Sequence, residues 1–316
     1  MLKAVSYSKK AAEEVKLGSI NPLRSITWID LESPTLTELH SVSKKFKVPV
    51  KELKHALDVN ERPRIKVAKD YTLIIFSSFT TKRHVPESQK KRIRPLGIIF
   101  GNKFIITVHR DMIESIDKIK ISSEDFLEAF ADGTDGLTIK FLGDINKEVA
   151  PILNELDDDI DFLEGAAIRE DIVTKEFITR ISEVKKLTLA LRKSITNNKD
   201  VAAAITKLEI LKDRHSAEEL YVELMQSTDQ IESAKERIAS ALGIYFAYSS
   251  SKANNVMKAF TVIASLLLFP MLITGLYGMN VALPIQRHPT AFFTILFLII
   301  LAISVMLIHF RSRKFL

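Results

Sequence analysis

Two apolar runs close to the C-terminus constrain this chain more than any other feature. Val256 to Asn280 reads VMKAFTVIASLLLFPMLITGLYGMN, and Lys258 is its only charge. Ala291 to Phe310 is again apolar, with no charge until His309. As helices rising about 1.5 Å per residue, both are long enough to cross a hydrocarbon core about 30 Å thick. The loop between them is short, so the expectation is a helical hairpin that spans a bilayer twice, not a buried soluble pair. Lys252 and Lys258 flank the first run, and Arg311, Arg313 and Lys314 follow the second, whereas the connecting loop carries only Arg287 and His288. The positive-inside rule then puts both termini in the cytoplasm of a multi-pass cell-membrane protein.

Composition separates the rest of the chain from these spans. The mean hydropathy of +0.09 averages a charged, periodic first part and a lipid-like end. No apolar core of signal-peptide length follows Lys3, where the chain continues to Lys9-Lys10 in small and polar residues. The absence of cysteine excludes disulfides, thiolate metal sites and a cysteine nucleophile. The histidines are scattered without zinc-ligand spacing. His109-Arg110-Asp111 copies a kinase catalytic triplet, but Ile116 stands where a metal-binding Asn is needed and no Gly-rich phosphate loop exists. Ser41 and Ser88 each precede a Lys by three positions without the accompanying motifs. No enzyme is expected. The net charge of +6 belongs to the membrane flanks, and the run Lys90-Lys91-Arg92 with Arg94 lacks aromatic interleaving, so no nucleic-acid partner is expected.

In chain order, residues 1–24 read as an irregular or β start and Ile26–Leu31 as a strand. Ser33-Pro34 reads as N-cap and first helical residue of a helix over Thr35–Phe46, and Val50–Asp58 as a second short helix. Tyr71–Phe79 is a strand, 82–94 a basic loop, and Pro95–Phe100 with Lys103–Val108 a hairpin about Gly101-Asn102. This makes about four strands with short helices. Ser122/Ser123 before Glu124-Asp125 reads as a helix start, and Asp132-Gly133 with Asp135-Gly136 as a break. Leu137–Ala167 and Ile172–Asn197 then form two antiparallel helices, with a turn at Asn197–Asp200. From Val201 the apolar spacing Ile205, Leu208, Leu211, Leu220, Leu224, Ile231 is helical, and only Gly243 interrupts it before the membrane. One helix from Val201 to Tyr277 would be about 115 Å long and would need partners along its length, which points to an oligomer. The expected fold class is an α+β/α-helical membrane protein. A cytoplasmic α/β domain spans 1–135, a helical arm and stalk 136–255, and the first span 256–277. An external loop follows over 278–290, the second span over 291–310 and a basic tail over 311–316.

The end of the first span carries a recognisable signature. Tyr277-Gly278-Met279-Asn280, together with Asn255-Val256-Met257-Lys258, Thr261, Pro270 and Gly275, resembles the first span of the CorA magnesium transporters. Trp28-Ile29-Asp30-Leu31, Arg62-Pro63-Arg64 and Ile105-Ile106-Thr107-Val108 resemble the amino-terminal domain of that family, and Arg311-Ser312-Arg313-Lys314-Phe315 its tail. The resemblance covers essentially the whole chain. It implies Mg²⁺ transport by a homopentamer with the first spans around a pore and the second spans outside. It also implies Co²⁺ and Ni²⁺ as further cargo, Gly278, Met279 and Asn280 as the selectivity filter, and inhibition by cytoplasmic Mg²⁺. A zinc transporter of the same family is the alternative, though Met279 favours magnesium; a non-transporting anchored oligomer is another. Two features depart from the family: Pro270 lies one place later than usual, and the loop Val281–Ile285 lacks an acidic residue common there.

The chemistry of the residues agrees with that resemblance. Mg²⁺ is octahedral and dehydrates reluctantly, so a pore can present neutral oxygens to its hydration shell, and a ring of Asn280 carboxamides does so. Gly278 is expected to give a sharp turn or a close backbone approach. Alternating steps of four and three extend this face inward through Gly275, Met271, Leu268, Ala264, Thr261, Met257 and Asn254. Its ends are polar and its middle apolar, and an apolar constriction gates by dewetting. A Mg²⁺ sensor needs hard carboxylate oxygens. Candidates are Glu218, Glu219 and Glu223 on the stalk, and Asp157-Asp158-Asp159-Asp161 with Glu164, of which Asp157, Asp161 and Glu164 share a helical face. The expected partners are thus a second copy of the chain, the bilayer and divalent cations.

Overall fold

The computed structural model describes residues 2–8, 11–20, 25–80, 92–119, 121, 123–168, 174–208, 213–281, 283–284 and 288–313. The expected basic loop over 82–94 lies outside these residues as far as 91. The chain forms two compact units, Met1–Ala241 and Leu242–Leu316.

The first unit is built on a seven-stranded sheet, where about four strands were expected. Strands β1 (Leu2–Ser8), β2 (Ala11–Glu14), β3 (Ile26–Glu32), β4 (Arg64–Val67), β5 (Thr72–Phe79), β6 (Ile93–Phe100) and β7 (Phe104–His109) stand in the order β2-β1-β3-β7-β6-β5-β4. Only β3 and β7 run parallel, with Trp28 opposite Ile105. The three additional strands are β1, β2 and β4. Strands β2 and β4 form the sheet edges, and their charged, largely exposed residues suit an edge that must not recruit another chain. Strand β2 (AAEE) has no apolar alternation, and β4 (RIKV) alternates over only four residues, too short a run to mark a strand.

Both faces of the sheet are covered, and β5 is buried at every position. On one face, Ile29, Leu31, Leu73, Ile75, Ile106 and Val108 pack against Leu39, Val42 and Phe46 of α1 (Leu36–Phe46) and Leu53 of α2 (Val50–His55). On the other, the Trp28 ring lies 5.7 Å from Phe126 and 5.0 Å from Phe141. Phe126 belongs to α4 (Glu124–Ala131), which follows the single turn α3 (Glu114–Asp117), and Phe141 to α5 (Thr134–Lys147). Each such fully buried side chain contributes about 1.5–3 kcal/mol.

Several helix ends differ from expectation for local reasons. Thr35, not Ser33, caps α1: its Oγ1 accepts the Glu38 N–H at 3.3 Å, and Glu38 Oε2 accepts the Thr35 N–H at 2.8 Å. The expected single helix over Leu137–Ala167 is two, α5 and α6 (Val149–Ala166). Pro151 explains the break, because it has no N–H for the carbonyl of Lys147, where α5 ends, and its ring crowds that carbonyl. The expected turn at Asn197–Asp200 lies inside α7 (Thr174–Ile205), and the long helix α8 begins at Arg214, not Val201.

Asn198 shows why α7 continues. Strand β4 begins only at Arg64, opposite Ile75, and Pro95 of β6 stands opposite Ser77 of β5. The Ser77 backbone therefore faces away from β6. The buried Asn198 carboxamide receives its N–H and donates to its carbonyl, each at 2.9 Å. A side chain committed to finishing a sheet edge no longer competes for its own backbone.

In the second unit, α8 (Arg214–Tyr277) ends and α9 (Ala291–Ser312) follows. Both are long and apolar enough to cross a membrane. The covered or half-covered positions are Lys258, Val262, Ser265, Leu266, Pro270, Ile273 and Tyr277 on α8, and Ala291, Ile295, Ile299, Ala302, Ile303, Met306 and Phe310 on α9. Steps of three and four on both helices are the pattern of two helices laid side by side. The Tyr277 hydroxyl donates to the Pro284 carbonyl at 3.2 Å and ties the middle of the loop to the helix end.

Candidate ion pathway

Helix α8 has two unlike faces in the second unit. At about 100° per residue, the stripe Asn254, Met257, Thr261, Ala264, Leu268, Met271, Gly275 and the covered stripe centre roughly 155° apart. Every residue of the first stripe is exposed. Met257, Leu268 and Met271 keep 66%, 67% and 69% of their surface, whereas Val262 on the covered face keeps 2%. Within one copy of the chain, then, one side of α8 is covered and this stripe is left bare. The Thr261 hydroxyl donates to the Met257 carbonyl at 2.9 Å. Its proton is thereby spent on the helix, and its oxygen faces outward as an acceptor, the polarity that a cation's bound water requires.

The motif after the stripe closes the helix tightly. Gly278 N–H reaches the Thr274 carbonyl at 2.9 Å and Met279 N–H the Leu276 carbonyl at 3.2 Å. Gly278 does not adopt a left-handed backbone; among the described glycines only Gly133 does. The chain does turn here, since α8 ends at Tyr277 and Gly278 stands in the turn that follows, but this turn needs no left-handed glycine. A Cβ at position 278 would stand 3.1 Å from the Thr274 carbonyl oxygen, a tight contact that a shift of a few tenths of an ångström would relieve. At Gly275 a Cβ would meet nothing within 4 Å. Met279 and Asn280 follow, both exposed.

The carboxylates considered as a sensor fall into two groups. Leu220, Leu224 and Ile231 of α8 are buried as the apolar spacing predicts, and Glu218, Glu219 and Glu223 lie on its exposed side. Glu219 Oε1 is 3.2 Å from His215 Nε2, and Glu223 Oε2 accepts from the Asn146 amide at 3.0 Å. Among the described residues of a single chain, no group of three or more His, Asp or Glu converges on a metal-sized site. The α6 row is already occupied. Arg237 of α8 donates through Nε to Glu164 at 3.0 Å, through Nη2 to Asp161 and to Glu164, and through Nη1 to Asp157 at 3.4 Å. The guanidinium holds the Glu164 carboxyl below its ordinary value, and the carboxylates raise Arg237 above its own. Asp159 pairs with Arg180. The shared face of Asp157, Asp161 and Glu164 is thus an arginine site, not an open cation site. Only the position of Arg237 in the fold reveals this, because about seventy residues of sequence separate the partners.

The kinase-like triplet is also structural. His109 is 3% exposed and bonds through Nε2 to Asp30 Oδ1 at 3.0 Å and through Nδ1 to the Asp111 carbonyl at 2.7 Å.

Comparison with known proteins decides the family. The sequence profile described as "CorA-like Mg2+ transporter protein" matches residues 24–313. The chain belongs to that family. CorA-family members are transporters and not enzymes, and with its two apolar helices the chain is a membrane protein of two spans. A curated CorA relative, the cobalt/magnesium transport protein of Methanocaldococcus jannaschii, is 28% identical over 293 residues, covering 90% of this chain and 90% of the relative. The complete structure of the CorA magnesium transporter from the same organism superimposes with a TM-score of 0.82 at 26% identity, covering 98% of this chain and 97% of that one. The ZntB cytoplasmic domain from Vibrio parahaemolyticus shares the fold, with a TM-score of 0.64 at 12% identity over 79% of this chain and 98% of that domain.

Proposed function

We propose that this chain moves Mg²⁺ across the cell membrane through a homopentameric pore lined by the bare stripe of α8, with Co²⁺ and Ni²⁺ as further cargo. The observation that carries the reading is the face of α8 opposite its covered side. It remains uncovered in one copy, it bears Asn254 and Thr261 oxygens about an apolar middle, and it ends at Gly278-Met279-Asn280. A pure anchor gains nothing from polar groups on that face. Five copies around an axis would bring the stripes together and leave α9 toward lipid. Asn280 carboxamides at the mouth receive the hydrated ion, and Leu268 with its neighbours closes the path by excluding water. Residues 278–290 are then the external loop, and both termini are cytoplasmic, as the Lys and Arg flanks require. Glu219, with Glu218 and Glu223, faces a neighbouring copy and binds inhibitory Mg²⁺ from the cytoplasm. The name of the Methanocaldococcus relative joins cobalt to magnesium, which supports the wider cargo.

The test is flux. Purified protein in liposomes should admit Mg²⁺ at low cytoplasmic-side Mg²⁺, and Gly278→Ala and Asn280→Ala should lose it. Glu219→Ala should weaken inhibition by Mg²⁺ on the cytoplasmic side. An oriented native oligomer that passes no Mg²⁺ overturns the reading, and Zn²⁺ entry without Mg²⁺ entry would assign the chain to zinc.

A further inference from the structure

Two of the chain's seven methionines, Met257 and Met271, stand on the bare stripe of α8 and are among its most exposed residues, at 66% and 69%. They lie about 21 Å apart along the helix and bracket the polar Thr261 and the apolar middle of the stripe, Ala264 and Leu268. The chain has no cysteine. A peroxide that reaches this protein therefore meets no thiol, and its two-electron chemistry falls on thioethers. From this placement we infer that Met257 and Met271 are oxidant-modification sites whose conversion to sulfoxides opens the constriction. The inference rests on the reading of α8 as the pore wall.

The chemistry is complete with hydrogen peroxide as the named oxidant. A sulfur lone pair attacks one peroxide oxygen, the O–O bond breaks, a sulfur–oxygen bond forms, and the second oxygen leaves as water after proton transfer. Sulfur loses two electrons and peroxide gains them. The product is a polar, chiral side chain on an unchanged main chain. A thioether is flexible and apolar, so rings of Met257 and Met271 in the assembled pore extend the water-excluding length at both ends of Leu268. A sulfoxide oxygen accepts hydrogen bonds from water. It places an acceptor one helical turn from the outward-facing Thr261 oxygen, whose own proton is held by the Met257 carbonyl. A constriction that gates by dewetting is then wetted from both ends. The covered face of α8 carries no methionine, and Met306 of α9 is half-covered, so the effect is confined to the stripe and its mouth at Met279.

The experiment uses the full chain in liposomes containing a Mg²⁺ dye. Peptide mass analysis after hydrogen peroxide reads oxygen uptake at each methionine, with the exposed Met112 and Met225 of the first unit as reference sites. The expected result is sulfoxide at Met257 and Met271 and a rise of at least about threefold in initial Mg²⁺ flux. Met257→Leu with Met271→Leu, each compared with its own untreated flux, should abolish the peroxide response, and each single variant should retain part of it. Three results overturn the inference. One is sulfoxide at both sites with flux unchanged or lowered. A second is a rise that persists in the double variant. The third is that Met257 and Met271 stay unmodified while Met112 and Met225 are oxidised. A native protein that carries no Mg²⁺ before treatment overturns the pore reading itself, whereas untreated flux without a peroxide response removes only this inference.

Discussion

Asp30→Asn is expected to destabilise the sheet domain most at mildly acidic pH. His109 is buried between two acceptors, Asp30 Oδ1 at 3.0 Å from Nε2 and the Asp111 carbonyl at 2.7 Å from Nδ1. Only the doubly protonated ring donates to both. Burial works against that charge. The hydrogen bond and charge of Asp30, the Asp111 carbonyl and the charge of Glu32 together outweigh it, and the pKa of His109 is raised. A raised folded-state pKa means that the stabilisation is complete below the unfolded value of about 6.5 and is lost as pH rises through the folded value. Removing one partner of a buried pair costs about 3–5 kcal/mol if the other charge stays. Here the ring can shed its proton, and the amide oxygen still accepts from Thr107, so about 2–3 kcal/mol is expected at pH 6. As pH rises through the folded value of His109 the native ring itself loses its proton, and the difference should shrink to about 1 kcal/mol. The chain carries a single tryptophan, and Trp28 Nε1 donates to Thr107 Oγ1 at 3.0 Å, which in turn donates to Asp30 at 2.5 Å. Trp28 emission during thermal unfolding of the detergent-solubilised protein therefore reads this network directly. A shift of about 4–12 °C at pH 6 that narrows as pH is raised through the alkaline range is expected. A shift that stays constant across that range, or none, would refute the charged-histidine argument.

Three further outcomes follow from the same structure. Asn198→Ala leaves the buried N–H and C=O of Ser77 without partners and should cost about 2–4 kcal/mol, read by denaturant unfolding; a loss under about 0.5 kcal/mol would show that water replaces the amide. Arg237→Ala frees three carboxylates of α6, but their exposure limits the loss to about 1 kcal/mol, measured near neutral pH. Because Glu164 is held below its ordinary value, its stabilisation is present above the unfolded carboxylate range and lost as pH falls through the folded value, so native and variant should converge on acidification. Gly97→Ala places a Cβ 2.3 Å from that of Ala56 and should destabilise by about 1–3 kcal/mol through displacement of α2, visible as a lower midpoint in the same Trp28 assay.

The regular core was readable in advance because its signals are local. Ile26–Leu31, Tyr71–Phe79 and the hairpin about Gly101-Asn102 announce strands by composition and turn chemistry, and all lie within a residue or two of β3, β5, β6 and β7. Residues 1–24 read only as an irregular or β start, and the structure resolves that choice into β1 and β2, while the four-residue edge β4 was not read at all. Asn197-Asn198 reads as a turn by propensity, and a hydrogen-bonding demand from a strand more than a hundred residues away overrides it. The acidic row of α6 reads as a cation site until Arg237 is found lying across it.

By itself the sequence determined the two membrane spans, their flanking charges, the motif that ends the first of them and the order of stripe residues behind it. Run length, hydropathy and helical period are properties of contiguous residues. Only the tertiary structure decided which face of α8 is covered and which stays bare, and which carboxylates are already paired. Those outcomes depend on what another segment brings to the same place, and a side chain's partners across the fold leave no trace in its own neighbourhood of sequence.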